Sequence, residues 1–170
     1  TTESRGLGDV YKRQLQSRPP MPPTQPRPKV AIVARQAGSA IAFEPLIHRL
    51  SKAGDPPLVL ALGAARGRWL GASFCAHAVA DFSEARAILR SERPTSLLTG
   101  TSLEVLDDGS FWRWAETQDI PSTALIDSWC HYGERFTRPD GGFVESWPTT
   151  IAVIDELARQ GAVADGLPER

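Results

Sequence analysis

Apolar residues in this chain come in two rhythms, and the two alternate. "KVAIVA" (29–34) is a short continuous apolar run rich in β-branched residues, the signature of a strand buried on both faces. "PLVLALG" (57–63), "TSLLTGTS" (95–102), "STALIDSW" (122–129) and "TTIAVI" (149–154) repeat that signature, and "AHAVAD" (76–81) is a shorter candidate of the same kind. Between them lie stretches with helical spacing. In "AIAFEPLIHRLSKAG" (40–54), Ile41, Leu46, Ile47 and Leu50 recur near a 3.6 period; Gly54 supplies a stop, and Pro45 must sit in the first turn or kink the helix. "ARGRWLGASFC" (65–75) is irregular or a short helix. "FSEARAILRSERP" (82–94) reads as a helix capped by Ser83, "DDGSFWRWAETQDIP" (107–121) as one closed by Pro121, and "DELARQGAVADG" (155–166) as the last. "CHYGERFTRPDGGFVESWP" (130–148) is a long loop.

Alternation of this kind predicts parallel βαβ units with right-handed crossovers and helices on both faces: a Rossmann-like three-layer α/β domain with a mainly parallel sheet of strands near 29–34, 57–62, 95–99, 122–126 and 149–154. The pattern fails before Lys29. Residues 15–28 hold six of the 14 prolines and cannot supply ladder hydrogen bonds. "DVYKRQ" (9–14) reads as the translation of a transposon-end sequencing adapter, so residues 1–14 are expected to be an artefact and 15–28 an extended Pro-rich segment. The domain is expected over 29–170, as part of a longer protein.

Composition narrows the functional classes. A net charge of -1 gives no reason to expect nucleic acid or an anionic membrane as partner, and no apolar run reaches the ~18 residues of a membrane span. Two cysteines, Cys75 and Cys130, fit a reduced protein better than a disulfide framework. Neither has a second ligand pair at zinc spacing, so no metal site is expected; His48, inside the first helix, reads as a surface histidine.

In an open parallel sheet, ligands bind beyond the carboxyl ends of the strands. The predicted topology sends Arg35–Ser39, Gly100–Ser102 and Asp127–Phe136 to that edge, whereas "AGDPP", "RSERP" and "TQDIP" at the other edge are ordinary turns. Gly38 and Ser39 open a helix whose N–H groups can receive an anion, or they form a plain tight turn with Ser39 as cap. Gly100 lets the backbone approach a ligand, with the Thr101 and Ser102 hydroxyls beside it, or it ends a strand. "DSWCHYGER" (127–135) offers Asp127, Glu134 or His131 as a general base and Arg135 for a phosphate or carboxylate; alternatively Arg135 pairs internally with Asp127 or Glu134.

The order "SLLTGTS", "DIPSTALIDSWCHYGERF", "PTTIAVIDELARQGAVADGLPER" resembles the N-terminal domain of bacterial GT-B enzymes, in particular the group of UDP-N-acetylglucosamine 2-epimerases and related glycosyltransferases. A strand-end Gly with a hydroxyl neighbour, an Ile-Pro pair ahead of an acidic strand-end position (Asp127) and the exit "GLPER" (166–170) carry the resemblance over roughly 29–170. "TGT" (99–101) and "DSWCH" (127–131) depart from the epimerase motifs, which favours transfer over epimerisation. The resemblance implies the acceptor-side half of a GT-B fold in polysaccharide or cell-surface glycan biosynthesis. It implies a nucleotide-sugar donor, a glycan or small-molecule acceptor, no further cofactor and a cytoplasmic location, with peripheral membrane contact left open. The catalytic group would come from Asp127, Glu134 or His131, and substrate contacts from Gly38, Ser39, Gly100, Thr101, Ser102 and Arg135. The rival reading is a non-catalytic α/β ligand-binding or regulatory module.

Overall fold

The computed structural model describes residues 29–103 and 105–169; the adapter-like and Pro-rich segments lie outside the described residues. Six strands, β1 (Val30–Ala34), β2 (Leu58–Ala61), β3 (His77–Ala78), β4 (Ser96–Gly100), β5 (Ser122–Ile126) and β6 (Thr150–Val153), form one sheet in the order β3-β2-β1-β4-β5-β6. Every ladder is parallel. This is the doubly wound Rossmann-like order, with the direction of winding reversed between β1 and β4.

Helices α1 (Ala37–Lys52), α2 (Gly63–Trp69), α3 (Phe82–Glu92), α4 (Val105–Thr117) and α5 (Glu156–Ala164) cover the sheet. Because side chains alternate along a strand, each strand feeds two layers. Ile32 and Ala34 of β1 pack with Phe43 and Ile47 of α1 and Trp69 of α2. Ala31 and Val33 face the other way, onto Leu89 of α3 and Phe111 and Trp114 of α4. Ala124 and Ile126 of β5 meet Trp112 of α4, Ala158 of α5 and Phe136 of the long loop. The three-layer α/β class follows from that arrangement.

The pattern misplaced some helical detail. α1 begins at Ala37, so Pro45 lies inside it, and its buried face is Ser39, Ala40, Phe43 and Ile47. Ile41, 52% exposed, and Leu46 point outward, because at about 100° per residue they fall outside the arc that those four residues occupy. Gly54 does end the helix, at φ 84°, with Asp55 N–H donating to the Leu50 carbonyl. The cap of α3 is Asp81 and not Ser83: its carboxylate accepts from Glu84 N–H at 3.0 Å while the Glu84 carboxylate accepts from Ala80 N–H at 2.7 Å. No helix among the described residues is long and apolar enough to cross a membrane. Cys75 and Cys130 are free and exposed.

Candidate functional site

The reversal between β1 and β4 brings three chain segments together at the carboxyl edge. The first is the start of α1. Ser39, fully buried, donates its Oγ hydrogen bond to the Gln36 carbonyl at 3.1 Å. The second is the end of β4. A side chain at Gly100 would collide with Cβ and Oγ of Ser39, so the strand and the helix can meet only because position 100 lacks one. Thr101, also buried, donates to the Leu125 carbonyl of β5 at 3.0 Å and so ties the neighbouring strand ends. The third is the end of β5, where the Asp127 carboxylate lies against Gly38 so closely that a Cβ there would collide with it.

Arg135 joins these pieces. Its Nη1 donates to the Thr101 carbonyl and hydroxyl, both at 3.0 Å, and to the Asp127 carboxylate at 3.3 Å. Nη2 donates to Ser128 Oγ at 2.8 Å. The Asp127 and Arg135 side chains are each only 12% exposed, so the pair is largely removed from water and each charge depends on the other. Arg135 Nε is buried with no acceptor among the described residues. Of the alternatives left open by the sequence, internal pairing of Arg135 with Asp127 is the one observed.

The loop that carries Arg135 is pinned from several sides. Phe136, fully buried at the end of a 3-10 turn (Gly133–Phe136), stacks between Trp112 at 5.1 Å and Trp147 at 5.2 Å. Tyr132 is buried against Gly161 of α5; that burial first, then the electrostatic influence of nearby Asp155, Cys130 and Asp165, pushes its phenol above the ordinary value. The residues between these anchors face solvent. His131 Nδ1 and Glu134 Oε2 are 2.8 Å apart, with side chains 52% and 65% exposed. His131 adopts φ 58°, a left-handed conformation uncommon outside glycine though tolerated better by His than by most residues. Trp129, exposed, donates Nε1–H to Asp155 at 2.9 Å.

Of the residues singled out in the sequence, Gly38, Ser39, Gly100, Thr101, Asp127 and Arg135 form one interlocked cluster. Ser102 is turned away from it: its N–H and Oγ both bond Asp108 of α4, at 2.7 and 2.8 Å. His131 and Glu134 bond each other rather than the cluster. Ser128 and Asp108 were not anticipated. Ser128 follows Asp127 in a loop read as one unit, and Asp108 carried no signal, since an acidic residue in a first helical turn is ordinary. Surface cavities of about 470 and 510 Å³ lie elsewhere, one beside Pro121 and Trp147 at the amino edge and one between α3 and α4.

No protein-family model matches the chain, and no curated protein or solved structure matches it either. What the site can do therefore has to be argued from its own chemistry. A solvent-facing imidazole bonded to a carboxylate through Nδ1 leaves Nε2 open to take a proton from a ligand. The buried Asp127–Arg135 pair fixes the loop that presents it. Among the described residues, no group of three or more His, Cys, Asp or Glu side chains is arranged to hold a metal ion.

Proposed function

We propose that the chain is the acceptor-side half of a nucleotide-sugar-dependent glycosyltransferase of GT-B type, with the His131–Glu134 pair as its proton acceptor. The observation that carries this reading is the exposed pair itself: an imidazole on left-handed backbone and a carboxylate 2.8 Å from it, beside the carboxyl edge of a doubly wound sheet. Uncommon backbone conformations held by well-anchored surroundings recur at functional sites. With Nδ1–H directed to Glu134, Nε2 of His131 accepts the proton of an acceptor hydroxyl as its oxygen bonds the sugar carbon and the nucleotide leaves. Asp127 and Arg135 then act as the frame, and the donor nucleotide would be held by a partner domain. The likeness of the strand-end motifs to GT-B enzymes supports transfer as the chemistry, and polysaccharide or cell-surface glycan as the acceptor class.

The inward commitment of Arg135 favours a second reading, a ligand-binding or regulatory module without catalysis. The two readings part on one experiment. In the full-length protein, His131→Ala should lower sugar transfer about a hundredfold and Glu134→Gln by less, with folding unchanged. If both variants keep wild-type turnover while folded, the loop is a connection and the binding module is the better account.

A further inference from the structure

The second of the two cavities raises a different question. It is a groove of about 510 Å³ between α3 and α4, on the face of the sheet that those helices cover. Arg86 and Arg90, one turn apart on α3, line it together with Arg113 of α4; Phe82 and Trp114 also line it. All three guanidinium groups are exposed, and Glu84 and Glu92 on α3 are engaged elsewhere. Glu84 accepts from Ala80 N–H, and Glu92 pairs with Lys29. Arg86 and Arg90 form no ion pair among the described residues; Arg113 pairs with Glu145 at 2.6 Å, in an exposed contact that water and salt weaken. Trp114 forms part of the groove wall while packing into the core beneath it. Trp114 is only 6% exposed, and its Nε1–H is buried with no acceptor among the described residues.

We propose that this groove binds a small phosphate-bearing molecule from solution. Guanidinium groups are planar donor forks that match phosphate oxygens, and three of them along one groove suit more than one phosphate or a phosphate beside another anion. Phe82 and Trp114 give the same ligand an aromatic wall. A volume of about 510 Å³ is that of a small-molecule site. The groove is separate from the His131–Glu134 pair, so the proposal stands whether or not the chain transfers sugar.

Inorganic pyrophosphate is a sufficient probe. It is titrated into the ¹⁵N-labelled full chain at constant ionic strength, following the indole N–H signal that disappears in Trp114→Phe. A saturable shift of that signal is expected, with affinity about tenfold weaker or worse in the Arg86→Gln, Arg90→Gln double variant, checked for folding by circular dichroism. Absence of a saturable shift in the wild-type chain overturns the proposal, as does equal affinity in the double variant. Stronger binding to phosphatidylglycerol vesicles or to poly-glutamate than to pyrophosphate also overturns it, and makes the face a macromolecular surface instead.

Discussion

Ser39 fills the space that a side chain at position 100 would need, and that single steric fact joins α1 to the end of β4. Gly100→Ala should cost about 1–3 kcal/mol, because the central strand cannot retreat without losing ladder bonds, nor the first turn of α1 without unpacking buried Ala40 and Phe43. The measurement is a urea transition, with the midpoint lowered and the slope kept. Ser39→Gly removes the obstructing atoms, so the double variant should be more stable than the two single losses added together, by about 1 kcal/mol or more. Strict additivity would mean that the two positions do not meet. The glycines at 38 and 100 were readable in the sequence as places of close approach. What approaches them was not. The sequence left a ligand or a plain turn and strand end open there; within the chain, the neighbours are the Asp127 carboxylate at Gly38 and Ser39 at Gly100. Positions 38 and 127 become neighbours only through the registers of β1 on β4 and β4 on β5, and no local pattern encodes that order.

The helices divide in the same way between local and distant information. Five of the six strands were visible as apolar runs and the two-residue β3 only as a shorter candidate, since a strand buried on both faces leaves little room for polar residues whereas β3 lies at an exposed edge. Helix starts were less visible, because "DFSE" offers two capping residues and only the backbone chooses Asp81. "IDELA" offers one, and α5 uses it. The Asp155 carboxylate accepts from Ala158 N–H at 2.8 Å and from Trp129 Nε1–H at 2.9 Å, and those bonds, in that order, hold it below the usual carboxylate range. Bonds from Arg159 and then Gln160 lower Glu156 to about 2. Both values are depressed by folding, so their stabilisation is complete above the ordinary carboxylate range and is lost as pH falls through the lowered values. Between pH 4.5 and about 2, Glu156 should therefore release Arg159 and Gln160 and α5 should fray; protonation of Asp155, below the ordinary carboxylate range, should cost Trp129 its partner before the sheet opens. An NMR titration of the α5 amides and the Trp129 indole signal reads both. Asp155→Ala should remove the pH dependence of the indole signal; if it persists, another group controls Trp129.

The whole sheet also predicts where the molecule is firm. β1 is flanked by β2 and β4, is covered by helices on both faces and is fully buried from Ala31 to Ala34. β3 is two residues long, is bonded only to β2 through Leu60 and Ala61, and leaves His77 exposed. β6 lies at the opposite edge with Thr150 exposed and the rest half-buried. Opening an edge strand breaks one ladder and exposes little apolar surface, whereas opening β1 breaks two and exposes both layers. Native-state hydrogen exchange should accordingly be slowest in β1 and β4, intermediate in β2 and β5, and fastest in β3 and β6. The site inherits this gradient. Thr101 and Asp127 follow β4 and β5 and are clasped by Arg135, so the frame belongs to the slow part of the molecule. Amides from Trp129 to His131 have no ladder to protect them and should exchange within the fast class, leaving the imidazole mobile on a fixed base. Exchange resolved by residue checks the order directly. Equal protection of β3 and β1 would mean that the sheet opens only as one unit, and the separation of a firm frame from a mobile imidazole would fall with it.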